Sequence, residues 1–347
     1  MNNLRLYFSV ILMSTAVTAD SRHKSSNHGH FRSLIIDTDQ SIFQLNLLQN
    51  NNTDQIESCY EMIRNAESFQ FCYPAINIAG IAKCGTSAVY DFLTRQQNIF
   101  PVHKRKEYCL SDRNHFEYFQ EISIKSQTET SNGTVHVNGC INAFQEARMF
   151  NLLHPNAVYI IMVRDLASRL WASYNFWCYP ELDLDCTTPG YWSKPGMHRS
   201  PEHFHSVLQS AEAPLSTLSH VWQHGVWGDA YRRSIQALHT ATGRLPFVLA
   251  AEALEGPDRA QHIQRLQNHL NAQLGSKFTL DPSHLHIVNT GDNKGTGNVS
   301  SSTTGGMYAI SGHQPMLQET ADYIHSRWED CEYVSSLANY PYKCRTV

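Results

Sequence analysis

Residues 76–93 read INIAGIAKCGTSAVYDFL: an apolar run, a short loop with one lysine, and a Thr-Ser pair that opens an amphipathic segment. A turn of this kind after a buried strand exposes several backbone N–H groups. The helix that follows adds the positive end of its dipole, and together they cradle an anion. Gly85 lets the backbone around Cys84 come close to a ligand, Thr86 and Ser87 add hydroxyl donors, and Lys83 supplies a full positive charge. The ATPase version of such a loop, G-x-x-x-x-G-K-[ST], carries its lysine after the last glycine. Here Lys83 precedes Gly85, and GTS stands where GKS is required. That order argues against an ordinary ATPase and removes the usual context for a magnesium ion between phosphates.

Two further stretches bring charge. VYIIMVRD ends an apolar strand on Arg164, whose guanidinium can grip phosphate through paired donors. Arg169 follows on the next helical segment, as either a second phosphate ligand or a surface ion pair. VHKRKEYCL, residues 102–110, joins a run of cations to one carboxylate. Taken alone it reads as a solvated basic run with a compensating glutamate. Residues 289–306, NTGDNKGTGNVSSSTTGG, are rich in small polar residues; they are a surface loop by composition, or a flap that closes over a phosphate-bearing ligand.

AGIAKCGTSAVYDFL resembles the 5′-phosphosulfate-binding loop of sulfotransferases that use PAPS (3′-phosphoadenosine 5′-phosphosulfate). VYIIMVRDLASRLWASYNFW is similar to the same family's 3′-phosphate-binding segment, and the two occur in the family's order. Within the superfamily the likeness is to Golgi carbohydrate sulfotransferases, most of all those acting on N-acetylgalactosamine 4-sulfate at its 6-position. It covers roughly residues 73–330, with the detailed match confined to the two motifs and a few flanking positions. The resemblance implies a P-loop-like sulfotransferase fold with PAPS as sulfate donor. It gives Lys83, Cys84, Gly85, Thr86 and Ser87 to the 5′ end of the nucleotide, and Arg164 and Ser173 to the 3′-phosphate. Lys294 and Gly295, in NKGTG, fall to a late capping loop. It makes Glu107 the general base, with Lys106 and Lys83 beside the transferring group and His103 in reserve. Leu166 stands where the family has proline, and Ala172 where it has its serine, with Ser173 one place later. A one-residue shift turns a helical side chain by about 100°.

Elements must hold these residues in place. AINIAGIA, AVYIIMVRD and LPFVLAAEAL read as buried strands. TSAVYDFLTRQQ, AFQEARMFNLLHP, LASRLWASYNFWC, a long pattern through residues 216–241 and PDRAQHIQRLQNHLNAQL read as helices. Strands alternating with helices predict an α/β fold, a central parallel sheet flanked by helices on both faces. FWCYPELDLDC reads as a tied loop near the acceptor mouth, where Trp177, Tyr191 and Trp192 are candidates to stack on sugar rings.

At 347 residues and 41% hydrophobic, the chain can bury one large core. A net charge of −4 excludes a global basic field for nucleic acid, and the nineteen histidines show no HExxH or other tight metal-ligand spacing. Residues 1–19 carry one arginine, an apolar run and small residues at Val17 and Ala19. This is the pattern of a cleaved signal peptide, or of a short uncleaved anchor that would give the only membrane contact. Residues 20–55 read as a polar stem and 56–347 as a single luminal domain. The address is the secretory lumen, with the Golgi implied by the resemblance and secretion as an alternative.

Nine cysteines in that compartment read as disulfides with one thiol over. Cys178 with Cys186, and Cys331 with Cys344, are near enough to staple loops. Cys59 with Cys72 and Cys109 with Cys140 would complete a set, although spacing leaves the connectivity open. Cys84, inside the turn, is the candidate free thiol. Asn51, Asn132 and Asn298 head N-x-S/T sequons. The expected acceptor is a glycan hydroxyl, on a glycosaminoglycan-like chain. The competing expectations are an inactive sulfotransferase-like glycan binder and a luminal P-loop kinase.

Overall fold

The computed structural model describes residues 9–13, 33–38, 41–47, 59–64, 67–103, 106, 109, 117–122, 134–140, 147, 151, 154–177, 201–210, 231–285 and 315–344. Strand β9, Val158–Val163, is apolar along its length and buried throughout, as a strand inside a parallel sheet must be. It lies between β10 (Phe247–Ala250) and β6 (Ile76–Ile78). Strands β8 (Val135–Asn138) and β7 (Ile99–Pro101) complete a five-stranded sheet in the order β10-β9-β6-β8-β7. Every neighbouring pair in it is parallel. The α/β class expected from the sequence is the one observed.

The strand order reverses at β6. The chain leaves it toward β7 and β8 on one side and returns on the other with β9 and β10. In open α/β sheets the crevice outside the carboxyl ends of the strands at such a switch point is where ligands bind. The Gly-rich loop follows β6, and Arg164 follows β9.

Helices among the described residues include α1 (Thr86–Thr94), α2 (Leu166–Trp177), α3 (Pro201–Ser210), α4 (Arg232–Thr242), α5 (Ala251–Glu255), α6 (Arg259–Leu274), α7 (Gln318–Ser326) and α8 (Cys331–Ala338). In α6, His262, Ile263, Leu266, Leu270 and Leu274 form the buried stripe that its three-and-four spacing predicts. Arg265 on the same helix donates to the carbonyls of Val248 and Ala338, which ties β10 to the end of α8.

Beyond the strands Ser33–Thr38 and Ser41–Leu47, where the sequence predicts a polar stem, and β7 and β8, which it does not predict, two expected strands differ in extent. LPFVLAAEAL is a strand only to Ala250; AEALE then turns helical as α5, since alanine, leucine and glutamate are strong helix formers. AINIAGIA yields only three strand residues. Backbone pairing to β9 runs on through the Ala79 N–H and the Gly80 carbonyl, but Gly80 takes φ 88° and lifts the chain out of the sheet.

A second, antiparallel sheet is a meander in the order β1-β2-β3-β4-β5: Ser9–Met13, Ser33–Thr38, Ser41–Leu47, Cys59–Arg64 and Glu67–Cys72. Cys59 and Cys72 are register partners in it and form a disulfide. Cys109–Cys140 and Cys331–Cys344 are also bridged, and Cys84 is free and buried. Three bridges fit a secreted or luminal protein. Cys178, Cys186, the sequon asparagines Asn51, Asn132 and Asn298, and residues 289–306 lie outside the described residues. No helix among the described residues is long and apolar enough to cross a membrane.

Candidate active site

The loop after β6 is wound by two left-handed residues, Lys83 at φ 67° and Gly85 at φ 81°. The Cys84 N–H closes a turn on the Ile81 carbonyl at 3.2 Å. Gly85 is the N-cap of α1 and has no side chain to cap it, so the first-turn N–H groups point out of the helix toward the loop.

Two arginines from the β9 side grip the outer loop. Arg164 donates through Nη1 to the Lys83 carbonyl at 3.4 Å, and Arg169 through Nε to the Ala82 carbonyl at 3.3 Å. In a trans peptide the C=O and the next N–H point in opposite directions. Holding the Ala82 carbonyl toward Arg169 therefore turns the Lys83 N–H to the other side of the loop. Arg169 is only 2% exposed, which overturns its reading as a surface ion pair: the sequence pattern could not reveal that α2 packs this face against the loop. Among the described residues neither arginine forms an ion pair with a carboxylate.

Tyr231 lies beneath both. Its hydroxyl donates to the Arg164 carbonyl at 2.5 Å and meets Cys84 Sγ at 3.8 Å, and the Arg169 guanidinium sits 5.7 Å from its ring centroid. Burial pushes the Cys84 thiol up to about 11, so it stays protonated at neutral pH and is a packing residue, not a nucleophile.

Lys106 comes from the segment beyond β7. Its Nζ donates to Thr86 Oγ1 at 2.8 Å and Ser87 Oγ at 2.9 Å, at the first turn of α1. His103 Nε2 is 3.2 Å from Glu121 Oε2, and the His103 carbonyl accepts from the Tyr90 hydroxyl at 3.2 Å. Ser173 is buried in α2 at 2% exposure, with Ala172 at 7%. Lys83, Cys84, Gly85, Thr86, Ser87, Lys106 and Arg164 are thus brought together, with Ser173 further along α2. Glu107, Lys294, Gly295, Tyr191 and Trp192 lie outside the described residues, as does the side chain of Trp177.

The sequence reasoning missed the groups that brace this cluster. Asp165 caps α2 by accepting from the Ser168 N–H at 2.8 Å, and its other oxygen meets His325 Nε2 at 2.6 Å. Burial alone would raise Asp165, but the His325 contact and the Ser168 bonds outweigh it and hold its carboxyl below the usual value. Glu252 accepts from the Asp165 N–H at 2.9 Å and from the Tyr342 hydroxyl at 2.9 Å; burial raises its pKa. Asp330 accepts from the N–H groups of Tyr231 and Arg232 at 2.8 and 2.7 Å and from the Trp328 indole at 2.6 Å. A capping signal was present at Asp165, directly before a helix. Glu252, Asp330 and Tyr342 act through contacts about 90 residues or more away, which no local pattern encodes.

No protein-family model matches the chain, and no curated protein matches it. Among solved structures, it is similar to the crystal structure of a sulfotransferase from Alicyclobacillus acidocaldarius, with a TM-score of 0.47 and 14% identity, over 78% of this chain and 97% of that chain.

Proposed function

We propose that the chain is a sulfotransferase that moves a sulfuryl group from PAPS to a hydroxyl of a glycan, on a glycosaminoglycan-like chain, in the lumen of the secretory pathway and most naturally the Golgi. One observation carries it: the Lys106 ammonium is held at the N-terminal turn of α1, beside the loop of Lys83 and the Arg164 guanidinium. A helix N-terminus repels cations. An ammonium held there by two hydroxyls suits a ligand that brings negative charge to the same turn.

The residues fit such a nucleotide. Lys83, Thr86, Ser87 and the outward N–H groups suit the 5′ end, and Arg164 suits a second phosphate. PAPS would supply an activated sulfuryl group on a phosphate leaving group. Lys83 and the loop donors stabilise the charge that develops on leaving, each such donor being worth about 3 kcal/mol. Lys106 neutralises charge on the group in flight. Glu107, next to Lys106 in sequence, takes the proton from the acceptor hydroxyl as general base. Attack is direct and in line, and the buried, protonated Cys84 has no part as a nucleophile.

A second reading has its own support. Ser173 is buried, and alanine fills the position where the resemblance expects serine; a sulfotransferase-like glycan binder that has lost the nucleotide would tolerate both. The order of Lys83 and Gly85 speaks against a kinase. Equilibrium binding of 3′-phosphoadenosine 5′-phosphate, and of ATP with magnesium, separates these readings. Incubation with radiolabelled PAPS and a panel of sulfated and desulfated glycosaminoglycans then identifies the acceptor. Tight binding of the bisphosphate and label in a glycan are expected. Glycan binding without nucleotide affinity would replace the transferase with the binder.

A further inference from the structure

We infer that Gly139 and the Cys109–Cys140 bridge form a clamp that sets the Lys106 ammonium on the Thr86 and Ser87 hydroxyls. The catalytic meaning of the clamp rests on the function proposed above; the clamp itself rests on packing.

A lysine has four rotatable bonds, and two hydrogen bonds at its tip do not fix its stem. The stem is fixed at Gly139, the residue after β8. A Cβ built there would lie 2.7 Å from Lys106 Cγ, 2.8 Å from Tyr90 Cδ2 and 3.0 Å from the Lys106 carbonyl oxygen. The Gly139 backbone is not in the left-handed region, so the position requires glycine for space and not for conformation. The next residue, Cys140, is bridged to Cys109, with Cα atoms 5.1 Å apart. Upstream, the Tyr90 hydroxyl holds the His103 carbonyl. Lys106 is therefore anchored on both sides, at residues 103 and 109, to α1 and to the end of β8, the two elements that frame the cradle.

The clamp has a chemical consequence. A hydroxyl that accepts a bond from an ammonium has its own proton free to donate elsewhere. Lys106 thus orients Thr86 and Ser87 as donors toward an anion on the loop. Gly139 and the bridge are positioning residues: they touch Lys106 or its loop, not the ligand.

The test uses the intact, disulfide-bonded protein without nucleotide. Its lysines are acetylated at trace level, and the rate at Lys106 is read by peptide mass spectrometry against exposed Lys343, whose side chain is 75% exposed. In the wild type Lys106 should react about tenfold more slowly than Lys343. In Gly139→Ala, and separately in Cys109→Ser/Cys140→Ser, the Lys106 rate should rise several-fold with Lys343 unchanged. Turnover should show kcat/KM for the donor reduced about tenfold with the labelling change confined to Lys106, whereas a merely structural loss would expose lysines generally. An unchanged Lys106 rate in either folded variant overturns the clamp. So does a wild-type Lys106 that labels as fast as Lys343, or a failure of both variants to fold. Because the labelling needs neither donor nor acceptor, it can fail while the transferase proposal stands, and the reverse.

Discussion

The Arg164 guanidinium and the Lys83 carbonyl, 81 residues apart in sequence, are joined by a hydrogen bond of 3.4 Å. The cation at the end of β9 therefore holds the loop that carries Lys83, and under the proposed function it also meets the nucleotide. Arg164→Ala should weaken binding of 3′-phosphoadenosine 5′-phosphate by about 100-fold, near 3 kcal/mol. Arg164→Lys should recover only part of it, since an ammonium cannot reproduce the paired donors. Isothermal calorimetry reads both. Melting temperatures close to wild type establish that the fold is intact; normal binding by the alanine variant in that case would mean the site is elsewhere.

Lys83 sits in the left-handed region at φ 67°, where a side chain costs roughly 1–2 kcal/mol. Lys83→Gly should therefore leave stability unchanged or raise it slightly, after the entropy that glycine adds to the unfolded chain. The same variant should lose turnover by about 100-fold or more. Gly85→Ala should do the opposite to stability. Its added Cβ meets nothing nearer than Ala251 Cβ at 3.5 Å, so only the backbone objects, and the loss should be about 1–2 kcal/mol in urea unfolding. A loss in Lys83→Gly as large as in Gly85→Ala would sink the idea that strain at Lys83 is kept for function.

What could be read from the sequence was local and apolar. The β6–loop–α1 and β9–Arg164–α2 units announce themselves because an apolar run stops at residues of defined chemistry, and Val89, Phe92 and Leu93 fall on the buried face that α1 presents. Strand β8 escaped notice: VHVN is four residues long, and its burial comes from β6 and β7 on either side. Gly139 was equally silent, because its constraint is a contact with Lys106 across the cradle. Cys331–Cys344, near in sequence, is bridged, as are Cys59–Cys72 and Cys109–Cys140, which complete the set whose connectivity spacing leaves open; the last spans 31 residues, and only the fold brings its ends together.

Asp330 satisfies three donors at once and so sets the start of α4 and the place of Tyr231. Asp330→Ala leaves those N–H groups buried and unmatched and should cost about 3 kcal/mol or more. Asp330→Asn keeps one acceptor oxygen and should cost less. Tyr231→Phe removes the bond to the Arg164 carbonyl and the weaker contact with Cys84 Sγ, at about 1–2 kcal/mol. It should also raise the Kd for the nucleotide, through Arg164. Urea unfolding with parallel nucleotide titration checks the order of the three; a Tyr231→Phe protein as costly as Asp330→Ala would contradict it.

The pH dependence of stability should carry the mark of His154. Burial, with repulsion from Arg244 added, lowers its imidazole from the ordinary 6.5 to about 4. Between those values the unfolded chain binds a proton that the folded chain does not. Stability is then fully present above 6.5 and is lost progressively as pH falls toward 4. The span corresponds to about 3 kcal/mol. Asp165 acts in a lower window: its carboxyl is held below the ordinary 3.8, so its contribution persists through this range and is lost only below it. His154→Gln, neutral at every pH, should reduce the slope of the unfolding free energy between pH 6.5 and 4, leaving the part that His262 and His269, also lowered by burial, carry in that interval, and leaving the fall below pH 4 in place. Parallel curves for the variant and the wild type across that interval would mean that the folded protein accepts a proton on His154 as readily as the unfolded chain does.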